Sequence, residues 1–384
     1  MTFPLTPIAQ HPSPVDHEKL EKLFSLIQTH IGEHRYPGCQ IALAWHGHLL
    51  LNQSFGLSRT GVGHTADTQA LPASSNHLFL LYSNTKILMA TALWVLVDQG
   101  KLQFSDRVAD YLPGFAAHGK QDITLFQLIT HQAGFPDADV PSSLWSDHES
   151  ILKTVCDFQL QWKPGSKVHY HGLSAHWVLA LVLEAITGSD FRDAVQRLVI
   201  APLGLADDVF MGLPENQLHR LAYLYEPDAQ APTGQRLRDE STNRVWQTAG
   251  VPGGGAYGTA RGMAALYQMM LGGGRLNGVQ LVSADTLAYA IQNHTEDRVD
   301  EFMGMPMHRG LGPHLRGTTP TIRGLGSNAP AHAFGHGGVG TSYCWADPQS
   351  GVSFAYLTNS RVPEPWHSHR LNEVSNLVYA AFKP

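Results

Sequence analysis

The chain has 384 residues, 43% of them hydrophobic and only 15% charged, a globular composition with length enough for two domains or one large one with a substantial core. A formal net charge of −6 with no basic run makes it a poor partner for nucleic acid or an anionic membrane. Three cysteines far apart in sequence, Cys39, Cys156 and Cys344, suggest no disulfide framework and fit a reducing compartment. The N-terminus, Met-Thr-Phe-Pro-Leu-Thr-Pro-Ile, has neither a basic region nor a long apolar core, so no signal peptide is expected. The longest apolar run, Ile87 to Val97, is too short to span a bilayer. The expectation is a cytoplasmic, soluble protein.

Residues 1 to 14 are Pro-rich and are expected to drape over the surface. From Val15 to about Ile31, Leu20, Leu23, Phe24, Leu26 and Ile27 recur at helical spacing. Gln40–Trp45 and Leu49–Phe55 flank His46-Gly47-His48 as a strand–turn–strand hairpin, and residues 56 to 76 read as loop. A helix that is almost wholly apolar after its first turn runs to Asp98, with Gly100 closing it. Further helices are predicted over 123–131 (Thr124 as cap), 147–159, 174–187 (Gly188 closing) and 191–200. Residues 202 to 245 show no long period and read as extended loop with short strands, walling a cleft. Helices at 259–271 (Thr259 as cap) and 283–293 follow, then a Gly-, Pro- and His-rich loop over 300–330. Ser342–Ala346 and Val352–Thr358 form a second hairpin, and His369–Phe382 a closing helix. Strand pairs at both ends with helices between imply an α/β (α+β) fold: an antiparallel sheet built from both termini, residues 1–100 and 246–384, and a mainly helical insertion over 101–245. A cleft between the two is the natural ligand site.

Chemistry concentrates where the long apolar helix begins. Ser83 and Lys86 stand three residues apart, on one face, beside the unpaired N–H groups of a helix N-terminus. A hydroxyl, an amine and a set of donors are the parts of an acyl-transfer site. A lysine walled by Leu80, Leu81, Ile87 and Leu88 is costly as an ion, and bringing its pKa from about 10.4 to near 7 takes roughly 4–5 kcal/mol, which burial can supply. The pair reads equally as a capping serine with a lysine that snorkels to solvent. The same spacing recurs at Ser150-Ile-Leu-Lys153, in an amphipathic helix where the lysine is expected to be solvated. The His-x-His pairs His46/His48, His169/His171 and His367/His369 each lack a third ligand placed by sequence, so no metal is expected. His131 is expected to tie a helix end. The absence of a Gly-x-Ser-x-Gly elbow disfavours an ordinary α/β-hydrolase.

Ser83-x-x-Lys86, Tyr111-Leu-Pro, the 123–134 segment, Trp162-Lys-Pro-Gly165, Tyr170, Glu184–Gly188, Gly253-Gly-Gly255, Gly272-Gly-Gly274, Phe334–Gly338 and Thr358-Asn359, in this order over nearly the whole chain, resemble the serine β-lactamase and penicillin-recognising superfamily. The branch most similar is the class C β-lactamase-like one that includes the family VIII carboxylesterases. The resemblance implies a β-lactamase-like fold with an inserted all-helical domain. It implies Ser83 as nucleophile and Lys86 with Tyr170 as the base/acid pair. His336-Gly337-Gly338 would be the third motif on a cleft-lining strand, and the N–H groups of Ser83 and Val339 the oxyanion hole. Two departures bear on substrate. The family's Tyr-x-Asn is here Tyr170-His171-Gly172, with His171 a partial substitute for the asparagine. The β-lactamase Lys-Thr-Gly is His336-Gly337-Gly338, which lacks a fixed cation and a hydroxyl. Both point away from β-lactams and toward small uncharged carboxylic esters, without a cofactor. A β-lactamase, a D-amino-acid peptidase, an acyltransferase and a catalytically silent binding protein are the alternatives.

Overall fold

The computed structural model describes residues 3–7, 14–61, 69–231, 233–318 and 324–382. The main sheet runs in the order Thr6–Pro7, His48–Thr60, Gly38–Trp45, Val352–Thr358, Ser342–Asp347, Phe334–Gly338, His314–Leu315, with Ala70–Pro72 added on His48–Thr60. Every pair is antiparallel except the first. The join between the two ends of the chain lies at the centre: Val352–Thr358 pairs with Gly38–Trp45 from Val352↔Trp45 to Thr358↔Cys39.

The two-residue period of the strands explains the layers on either side. Ile41, Leu43, Phe354 and Tyr356 pack with Leu20, Leu23 and Ile27 of the His17–Gly32 helix and with Leu371, Val374 and Val378 of the Trp366–Ala381 helix. Their neighbours in sequence, Ala42, Ala44 and Ala355, face the other way and meet Met263, Ala264 and Tyr267 of the Ala260–Leu271 helix. Small residues on that face let the helix lie close. The helix starts at the Thr259 cap, whose Oγ1 accepts the Gly262 N–H at 3.1 Å.

The Thr85–Asp98 helix is buried from Thr85 to Leu96 and packs among Ser174–Thr187, Phe191–Val195 and Ala284–Ala290. An apolar helix with no polar face has to be covered on all sides, and these neighbours cover it. Ser174–Thr187 ends where Gly188 takes φ +65.

The architecture is the α/β one expected, with an antiparallel sheet built from both ends of the chain, and the departures are local. The strand from His48 runs through to Thr60 and Ala70–Pro72 pairs with it, where loop was expected; 62–68 lie outside the described residues, as do 8–13. Within 202–245 the short strands Val209–Met211, Tyr225–Pro227 and Gln235–Leu237 form, but so does a helix, Arg244–Ala249. The 300–330 loop contains paired strands: Val299–Asp300 with Met305–Pro306, and His314–Leu315 on the sheet edge, with 319–323 outside the described residues. Pairs of two residues leave no readable period, which is why the sequence hides them. No helix among the described residues is long and apolar enough to cross a membrane.

Candidate active site

Ser83 is presented by a kink. The Phe79–Leu80 strand pairs with Ala256–Gly258, and Tyr82 then takes φ +44, a conformation costly for a bulky side chain. Its hydroxyl donates to Glu240 Oε1 at 2.8 Å, which holds the kink from outside. The chain enters a single tight turn, Tyr82–Asn84, and then the Thr85–Asp98 helix. The two residues between Ser83 and Lys86 fasten this turn to the rest of the site. Buried Asn84 lies 2.9 Å from Ser342 Oγ and, with its amide nitrogen turned to the His336 carbonyl, donates to that oxygen at 2.7 Å. Thr85 Oγ1 accepts the Ala256 N–H at 3.0 Å. The tetrad therefore fixes its own register against three strands, Phe334–Gly338, Ser342–Asp347 and Ala256–Gly258.

Lys86 is 1% exposed. Its Nζ lies 3.2 Å from Ser83 Oγ, 2.7 Å from the Gly172 carbonyl oxygen and 2.6 Å from that of Gly253. Burial lowers its pKa from the ordinary lysine value, and the Tyr170 hydroxyl pulls the other way. Two of the three partners can only accept. A neutral amine has two N–H groups for those carbonyls and one lone pair, which the geometry leaves for the Ser83 hydroxyl proton.

Tyr170 lies beside this amine, with Lys86 Nζ 5.0 Å from its ring centre. The Arg309 guanidinium carbon is also 5.0 Å from that centre, and the His131 ring 4.6 Å away. The Tyr170 N–H donates to Asp300 Oδ1 at 3.2 Å.

The Phe334–Gly338 strand closes the other side. A Cβ on Gly338 would stand 2.6 Å from the Leu81 carbonyl, so only glycine lets the strand end approach the nucleophile turn. Val339 follows on the cavity wall, 48% exposed, with Ser83 on the same wall. His336 is buried, and burial together with the nearby Lys86 pushes its pKa down to about 3. Its Nδ1 lies 2.9 Å from the Gly337 carbonyl, which can only accept, so Nδ1 carries the proton and Nε2 is an acceptor with no partner among the described residues. The third motif thus presents a neutral ring.

Ser83, Tyr170, His336 and Val339 line one cavity of about 810 Å³. Its walls are largely apolar, with Leu173, Trp246, Phe302, Met303, Met307 and Val362 among the lining residues.

A family profile described as Beta-lactamase matches residues 23–375. The chain belongs to the beta-lactamase family. This member of it is 28% identical over 399 aligned residues, 95% of this chain and 89% of the relative, to a Salmonella paratyphi B protein named "Putative D-alanyl-D-alanine carboxypeptidase". Among solved structures it is similar to a penicillin-binding-protein homologue from Caulobacter crescentus, with 25% identity, TM-score 0.79, and 96% and 98% of the two chains covered. It is also similar to a family VIII carboxylesterase, with 26% identity, TM-score 0.77, and 94% and 98% covered. It is a serine hydrolase of the β-lactamase and penicillin-binding-protein superfamily.

In this beta-lactamase-family chain the structure brings Ser83, Lys86, Tyr170, His336, Gly337, Gly338 and Val339 together. It does not bring His171. Expected to substitute at the substrate, His171 is instead fully buried and both ring nitrogens are committed: Nδ1 to the His169 carbonyl at 2.7 Å, and Nε2 accepting the Phe135 N–H at 3.1 Å. Burial holds its pKa down at about 4. Side chains alternate along an extended segment, so Tyr170 facing the cavity sends His171 into the core. His131 serves the backbone, its Nδ1 accepting the His171 N–H at 3.1 Å. Among the described residues, the His, Asp and Glu side chains that meet in the spacing of metal ligands are His148, Glu184 and Asp190, none of them from the His-x-His pairs. Asp190 is already held by Arg192, and Glu184 accepts the Phe191 N–H at 2.9 Å. Sequence reading named Gly253 only within a glycine motif and missed that its carbonyl holds Lys86, and it passed over Asp300 and Arg309 behind Tyr170; neither a backbone carbonyl nor a pair brought in from 130 residues downstream leaves a local signature.

Proposed function

We propose that the protein hydrolyses small, uncharged carboxylic esters through an acyl-enzyme on Ser83. The observation that carries this reading is the neutral, buried His336 at the place where a β-lactam-binding member has a fixed cation, set in an apolar cavity. Neutral Lys86 takes the Ser83 proton as Oγ bonds to the ester carbonyl carbon. The carbonyl oxygen, now negative, lies toward the N–H groups of Ser83 and Val339. The tetrahedral adduct collapses, the carbon–alkoxide bond breaks, and Tyr170 passes a proton to the departing alcohol and recovers one from Lys86. Water then repeats the sequence on the acyl-enzyme, releasing the acid. Gly172 supports the same reading: its carbonyl holds Lys86 and a Cβ there would meet nothing within 4 Å, so the space an asparagine side chain would fill is open to substrate.

A second reading, peptidase action on a substrate ending in a carboxylate, is favoured by Arg361, which lines the cavity mouth with Glu226 and Glu364, and by the name of the Salmonella relative. Turnover of nitrophenyl acetate and butyrate, nitrocefin and a D-Ala-D-Ala peptide separates the two. The ester reading expects kcat/KM for esters to exceed the others by about 100-fold, the scale of one absent hydrogen bond to a charged group. Nitrocefin or peptide turnover equal to ester turnover overturns it.

A further inference from the structure

The Val299–Asp300/Met305–Pro306 hairpin carries part of the apolar wall, Phe302 and Met303, and Phe302 is 62% exposed with its ring centre 5.9 Å from that of Tyr170. The hairpin is sewn to the segment that bears the tyrosine. The Glu301 N–H donates to the Val168 carbonyl at 2.9 Å, and Asp300 Oδ1 accepts the Tyr170 N–H at 3.2 Å. The same oxygen accepts from the Phe302 and Met303 N–H groups, at 3.0 and 3.2 Å. Its partner Oδ2 takes two bonds from Arg309, through Nε at 3.0 Å and through Nη2. Arg309 Nη1 reaches His314 Nε2 at 3.1 Å, and the His314 ring lies 4.3 Å from that of His336.

Both charges are buried, Asp300 at 0% and Arg309 at 1% exposure. Burying an ion pair costs several kcal/mol per ion, and an apolar pair of like volume is often as stable, so stability alone is a weak reason for one here. Its geometry gives a better reason. A single carboxylate fixes the backbone of Tyr170, the backbone of the wall residues and the guanidinium that stands 5.0 Å from the tyrosine ring. A cation over that ring attracts the phenol and favours the negative charge that appears as its proton moves.

We propose that Asp300 and Arg309 are a positioning unit that holds Tyr170 in register with the apolar wall, so that filling the wall with the substrate's apolar group and transferring the proton depend on one buried ion pair. The inference rests on the reading of Tyr170 as a proton carrier. The experiment is a double-mutant cycle of Arg309→Met with Tyr170→Phe on nitrophenyl butyrate, with Arg309→Lys as the conservative variant and thermal melting as the control for folding. Arg309→Met is expected to lower kcat by about 100-fold and to raise KM for the butyrate ester by roughly 10-fold, Arg309→Lys to restore part of both, and Arg309→Met to have no further effect on kcat once Tyr170 is Phe. A merely structural role would lower kcat by the same factor in both backgrounds, and that result overturns the proposal. Phe302→Ala, at an exposed site, keeps the test open if Arg309→Met does not fold: KM for hexanoate is expected to rise roughly 10-fold against little change for acetate, and equal change for both overturns the coupling to the wall. Labelling of wild-type Ser83 by a fluorophosphonate separates the two layers. No adduct defeats the hydrolase reading itself, whereas an adduct with unchanged Arg309→Met kinetics defeats only this inference.

Discussion

Two tetrads of the same spacing stand on two helices of this chain, and only one makes a site. Ser83-Asn-Thr-Lys86 opens a helix buried on all sides, and its lysine is enclosed with two carbonyls and the serine hydroxyl. Ser150-Ile-Leu-Lys153 lies on the His148–Cys156 helix, where Ser150 Oγ donates to its capping residue Asp147 at 2.6 Å and Lys153 pairs with Glu149 while 72% exposed. The Glu149 carboxylate beside Lys153 raises its pKa, and in the open solvent it stays an ammonium. Three residues of spacing set the distance between hydroxyl and amine, but burial sets the amine's proton affinity. A third lysine sharpens the point. Lys120 is as buried as Lys86, yet its Nζ meets three carbonyls, those of Ala117, Cys156 and Phe158, at 2.9, 2.9 and 2.7 Å. Burial lowers the Lys120 pKa as it does that of Lys86, but three carbonyl acceptors are matched only by the three N–H groups of an ammonium, whereas Lys86 has a hydroxyl where Lys120 has its third carbonyl.

The largest effects should come from the buried tetrad. Ser83→Ala and Lys86→Met are each expected to lower kcat for nitrophenyl butyrate by at least about 10⁴-fold, because residues that act as a unit fail as one. Rates that stay within 10-fold of wild type would end the assignment of this tetrad. In the wild type, burial lowers the Lys86 pKa, so kcat/KM should rise with pH as the amine loses its proton, at a pH below that of an ordinary lysine. Lys120→Met should do the reverse of Lys86→Met. It strands three carbonyls and is expected to cost about 3 kcal/mol or more of stability, read as a lower Tm, with kcat/KM retained in the folded fraction; unchanged Tm would mean the tie is dispensable.

A smaller effect tests what the second helix is for. At its start His148 Nδ1 donates to Glu184 Oε1 at 2.7 Å, and that bond outweighs burial and raises the histidine's pKa. A raised folded value means stability fully present below the unfolded pKa near 6.5 and lost as pH climbs through the raised one. The Tm of wild type should therefore fall over that window and the slope should flatten in His148→Ala; equal slopes refute the role. The smallest effect belongs to the decoy itself. Ser150→Ala with Lys153→Ala should leave kcat/KM unchanged and move Tm only slightly, since exposed ion pairs contribute little.

The outline of the fold could be read from periodicity. Ile41 and Leu43 against Ala42 and Ala44 state a two-faced strand, and Thr259 and Gly188 state where helices begin and end. The nucleophile turn could be read as far as its spacing. The linear chain walled Lys86 with apolar residues and left Lys153 in solvent, but it could not state what meets each buried amine: the partners of Lys86 and Lys120 are carbonyls and a hydroxyl brought from 3 to 167 positions away. For the same reason the sequence placed His171 at the substrate, when the alternation of its segment turns it into the core. It also passed over Asp300 and Arg309, which lie in a stretch read as loop. Local order follows from propensity and period, which neighbours in sequence determine. Proton affinity follows from desolvation and partners, and only the folded chain decides those.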